Sequence, residues 1–118
     1  MRIVFDENVP WPLRKFLPDY DVTSVQREGF GGMENGELLG HLDGSFDLFI
    51  LCDKNLRYQQ NLSDRVIAII ELPTNRWPVL MNLQVEIVRA VASSLSGSYL
   101  TVEEPAKGEQ GDRTPDPL

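Results

Sequence analysis

Phe46-Asp47-Leu48-Phe49-Ile50-Leu51-Cys52-Asp53-Lys54-Asn55 decides how this chain is read. Five of the six residues from Phe46 to Leu51 are large and apolar. A strand with one wet face would alternate. A continuous run suits a central strand covered on both sides. The run ends in a carboxylate, an ammonium and an amide. In an open α/β sheet, ligands bind just past the carboxyl ends of the strands. Asp53 falls at that edge.

Working outward, one other buried-type strand ends in an acid. Arg2-Ile3-Val4-Phe5 runs into Asp6-Glu7-Asn8. Two strands ending in Asp-x-Asn would bring two carboxylates and two amides together if they were sheet neighbours. Between them the pattern calls for a short helix over about Pro12–Leu17, a strand over Tyr20–Val25 and a glycine-containing loop over Gln26–Gly32. A helix then opens at Glu34, with Leu38, Leu39 and Leu42 as its apolar face. Beyond the central strand, Leu56–Leu62 reads as a helix and Val66–Ile70 as a second buried strand. From Trp77 to Leu95 the apolar spacing predicts one amphipathic helix of several turns. Ser98–Val102 reads as a last strand at an edge.

Strands alternating with helices predict an α/β fold: a three-layer α/β/α sandwich with a mainly parallel central sheet. The domain spans residues 1–102. Residues 103–118 are polar, carry three of the prolines, and have too little apolar material to pack, which predicts a disordered tail.

The chain has 118 residues, enough for one domain that buries about two-thirds of its unfolded surface. No apolar run approaches the ~20 residues of a membrane span. Asp6 and Glu7 interrupt any signal-peptide pattern. The lone cysteine, Cys52, cannot form an internal disulfide. A cytoplasmic protein is expected. The formal net charge of −7 argues against a general nucleic-acid-coating protein. It leaves room for a metal-dependent nuclease, whose clustered acids hold cations and whose phosphate contacts form a separate basic rim.

The residues Ile3-Val4-Phe5-Asp6-Glu7-Asn8, the glycine-rich loop leading to Glu37-Leu38-Leu39, and Ile50-Leu51-Cys52-Asp53-Lys54-Asn55 resemble the PIN-like family of small proteins. These are relatives of the PIN-domain toxin ribonucleases of toxin–antitoxin pairs. The resemblance covers about residues 1–80. It implies a parallel α/β/α sandwich that cuts RNA with Mg²⁺ or Mn²⁺ held by acids at the carboxyl edge of the sheet. By position it implies Asp6, Glu37 and Asp53 as catalytic acids and metal ligands. It also implies an antitoxin protein as partner and allows a homodimer. The sequence departs from the pattern in three places. Asn55 stands where a second Asp is usual, Leu51 where Thr is common, and Asn35 where the loop is usually followed by Asp.

Mg²⁺ takes hard oxygen ligands in octahedral geometry and keeps several waters. Asp6 and Asp53 would supply carboxylates, Glu37 a third ligand or a base, and Asn55 an amide oxygen. With amides in place of acids, one weakly bound Mg²⁺ or Mn²⁺ is expected. Asn8, Lys54 and Arg57 are the candidate contacts to substrate. Arg27, Arg65 and Arg76 are weaker candidates for phosphate contacts. Each acid also has a plainer role open to it: Asp6 and Asp53 as helix N-caps, Glu37 as a first-turn acid that suits the helix dipole. Two functions follow. One is a Mg²⁺- or Mn²⁺-dependent endoribonuclease of the toxin type. The other is a PIN-like scaffold weakened in catalysis that binds RNA or a protein. A receiver-type domain also gathers aspartates at strand ends. It needs an Asp pair after the first strand and a later Thr and Lys at matching strand ends, which are not found here.

Overall fold

The structure is a computed structural model, and it describes residues 1–52 and 64–104. Five strands build one sheet: β1 (Arg2–Phe5), β2 (Asp21–Ser24), β3 (Leu48–Leu51), β4 (Ala68–Glu71) and β5 (Tyr99–Thr101). Their order is β2-β1-β3-β4-β5, and every neighbouring pair is parallel. The expected α/β fold is therefore present, with the sheet wholly rather than mainly parallel.

All four residues of β3 are buried, as the apolar run requires. Leu48 and Ile50 pack on one face with Ile3, Phe5, Ala68 and Ile70. Phe49 and Leu51 pack on the other with Val4 and Ile69. The first face is covered by a 3₁₀ helix (Trp11–Phe16) and by helices α2 (Trp77–Asn82) and α3 (Gln84–Ser93), through Leu13, Leu80, Ile87 and Val91. The second is covered by α1 (Asn35–Leu42), through Leu38, Leu39 and Leu42. Helices on both faces make this a three-layer sandwich.

Two elements differ from expectation. The long helix over Trp77–Leu95 is broken at Leu83, where φ is −106° and ψ is 16°. Leu83 turns inward, 3% exposed, and its N–H donates to Leu80 O at 3.0 Å, a tight last turn. The fourth strand starts at Ala68 rather than Val66, because Asp43 Oδ1 accepts from the N–H groups of both Val66 and Ile67 at 2.8 Å. A side-chain clamp has replaced two ladder positions, and Val66 is left 61% exposed.

The expected helix over Leu56–Leu62 lies outside the described residues, as does the tail from residue 105. Among the described residues, no helix is long and apolar enough to cross a membrane.

Candidate functional site at the carboxyl edge of β1 and β3

From β1 the chain crosses to β2 on one side of the sheet, then returns to β3 on the other. The topological switch point of the sheet therefore lies between β1 and β3, where ligands bind open α/β sheets. Phe5 pairs with Ile50 in register. One residue on, the Asp6 N–H donates to Ile50 O at 2.9 Å. Asp6 thus stands directly at the switch point, half-buried. It is not the N-cap of the helix that follows, which is Pro10.

Across the switch point is Cys52, the last described residue before Asp53. Its thiol donates to Thr74 O at 3.3 Å, which ties the end of β3 to the loop after β4. Burial, and secondarily the nearby Asp6 carboxylate, push the Cys52 thiol up to about 12. The residue is half-buried. A consequence is measurable. Against an ordinary value of 9.0, the shift leaves about 10³-fold less thiolate at pH 8. Alkylation by iodoacetamide is expected to be slower than that of a free thiol by about that factor. Asp6→Asn removes the smaller of the two causes, so it should speed alkylation without restoring the free-thiol rate. An unchanged rate would place Asp6 away from the thiol.

The other candidates divide between this edge and the rest of the molecule. Asn8 is exposed beside Asp6. Glu7 is engaged elsewhere: its Oε1 accepts from Gly32 N–H at 3.0 Å, pinning the glycine loop after β2 to the tip of β1. Gly32 has a φ of +82°, a conformation in which a side chain would be strained. Glu37 is exposed in the first turn of α1, which starts from that same loop. Asn35, where an acid was expected by resemblance, is the first residue of that helix. Asp53, Lys54, Asn55 and Arg57 lie outside the described residues. Arg65 precedes β4 and lies at the opposite edge, where its Nη2 donates to Ser98 O at 2.9 Å; it is not a contact at this site. Trp77 stacks on Phe16 with ring centroids 5.4 Å apart.

Among the described residues, no three acids, histidines or cysteines gather closely enough to hold a metal ion. A cation at the switch point would need Asp53 beside Asp6, with water and substrate oxygens completing the octahedron. A cleft of about 600 Å³ opens at the amino edge of the sheet, between Met1, Arg2, Phe46, Asp47, Val66 and Leu95. It offers less chemistry, because Asp47 Oδ2 is taken up by Arg2 N–H at 2.7 Å.

Two features of the structure were not singled out in the sequence. Glu71 ends β4 and is 4% exposed, with its Oε1 accepting from Tyr99 Oη at 2.7 Å. A buried carboxylate is costly unless hydrogen-bonded. Tyr99→Phe is therefore expected to cost about 1–3 kcal/mol in urea unfolding; a loss under a few tenths would mean water replaces the hydroxyl. The second feature is a cluster of two guanidiniums on Trp11. Arg14 Cζ lies 4.9 Å from the indole centroid and Arg27 Cζ 4.3 Å from it. Trp11 and Arg14, three apart at the start of a helix, were a legible pair. Arg27 joins them only through the pairing of β1 with β2.

No family model matches the chain, and no curated protein or solved structure is similar enough to it to match.

Proposed function

We propose that the β1/β3 switch point is a divalent-cation site for hydrolysing RNA phosphodiesters, in a PIN-like domain of the toxin type. The observation that supports this most is the Asp6 N–H bond to Ile50 O, which makes the ends of the two acid-tipped strands neighbours. Asp6 and Asp53 would hold one Mg²⁺ or Mn²⁺, with Asn55 orienting a bound water and Glu37 approaching from the first turn of α1. When bound, the cation supplies a lowered pKa for water and stabilises charge on the phosphate. The chain's own part is to fix Asp6 at the end of β1 beside β3 and to keep the glycine loop in place through Glu7. A cytoplasmic location, an antitoxin partner covering this edge, and a homodimer belong to the same proposal.

A second reading is a scaffold of the same fold that binds RNA or a protein without cutting. It is favoured by one observation: Asn35 and Asn55 are neutral amides where the resemblance leads one to expect acids. Inducible expression of the wild type beside Asp6→Ala/Asp53→Ala separates the two. Growth arrest with the wild type alone supports the nuclease. Equal, harmless expression supports the scaffold.

A further inference from the structure

We infer that Arg14, Arg27 and Trp11 form the seat on which a single-stranded RNA backbone enters the site; this rests on the proposal that RNA is the substrate. Trp11 opens the 3₁₀ helix just past the tip of β1, and Arg27 lies in the turn after β2. Both are therefore at the carboxyl edge that carries Asp6. The indole is held on edge against Phe5, with ring centroids 6.0 Å apart and planes at 76°. Arg14 is fixed by a bond from its Nη1 to Trp11 O at 3.2 Å.

Two guanidiniums 4.9 and 4.3 Å from one indole centroid lie within about a Debye length of each other, and like charges at that range repel. The ring face attracts each guanidinium but leaves both positive charges in place. Carboxylates would be the ordinary remedy. Yet among the described residues neither Arg14 nor Arg27 makes an ion pair, in a chain whose acids outnumber its bases by 18 to 11. A phosphodiester supplies what is missing: paired oxygens that match the planar fork of each guanidinium.

The geometry favours a single strand. Neighbouring strand tips are about 4.8 Å apart, so the notch between β1 and β3 is narrow. A flexible strand can bend from the arginines into it. An A-form duplex keeps its shape and presents its phosphates across wide grooves. Single strands also leave bases free to stack on aromatic rings.

The test uses the full chain with Asp6→Asn to suppress cleavage, in EDTA, and a labelled twelve-nucleotide RNA followed by fluorescence anisotropy over a salt series. Arg14→Gln/Arg27→Gln is expected to weaken binding about tenfold or more. It should also flatten the salt dependence by ~1.4 log units per log unit of salt, two contacts at ~0.7 each. Arg27→Gln alone, at an exposed turn, should show half of that change in slope. Circular dichroism of each variant controls for folding. Equal affinity and slope with and without the arginines would overturn the inference, as would tighter binding of duplex RNA or of single-stranded DNA of the same sequence. Separately, Mn²⁺-dependent cleavage by the chain with native Asp6 tests the function. Arginine-dependent binding without cleavage leaves this seat standing and removes the hydrolase. Asp6-dependent cleavage with a KM unmoved by Arg14→Gln/Arg27→Gln does the reverse.

Discussion

Asp6→Asn is expected to abolish Mn²⁺-supported RNA cleavage, lowering the rate by about 100-fold or more while leaving the fold intact. Outer-shell partners of metal sites typically cost 10–100-fold when removed, so a direct ligand belongs at or beyond the upper end. The amide keeps the shape of the side chain and removes its charge. The backbone contacts at position 6, from its N–H to Ile50 O and from Val9 N–H to its own carbonyl, do not depend on the side chain. Loss of activity with an unchanged urea midpoint therefore isolates the carboxylate's chemical role. Full activity in the variant would move the site away from the switch point.

Phe49→Ala is expected to cost about 3–5 kcal/mol in urea unfolding. Phe49 is wholly buried at the centre of β3, among Val4, Leu38, Leu42 and Ile69. Its neighbours are strands on both sides and a helix above, so the cavity cannot collapse easily. Small domains have only about 5–15 kcal/mol in hand, so the variant should be poorly folded at 37 °C. A loss under about 1.5 kcal/mol would mean that the α1 layer is loosely packed.

The same residue shows why the fold was legible. An unbroken apolar run cannot tolerate a wet face, so Leu48–Leu51 demanded layers above and below, and parallel strands followed from the alternation with helices. The shift of β4 was not legible, because it comes from Asp43 in another element reaching Val66 and Ile67. Nor was the break at Leu83. No glycine or proline marks it, and the apolar spacing runs straight through; tertiary burial of Leu83 decides it. For the site, the acids that follow the two strands were visible but the adjacency of the strand ends was not. That adjacency depends on β1 lying between β2 and β3, a sheet order that local sequence does not encode. The engagement of Glu7 with Gly32 and the arrival of Arg27 at Trp11 are products of that order too.

Crystals soaked in Mn²⁺ and measured at the manganese edge test the central claim most directly. The account predicts one anomalous peak between the ends of β1 and β3, at coordination distance from a carboxylate oxygen of Asp6. No peak there, with the ends of β1 and β3 paired as described, would contradict it.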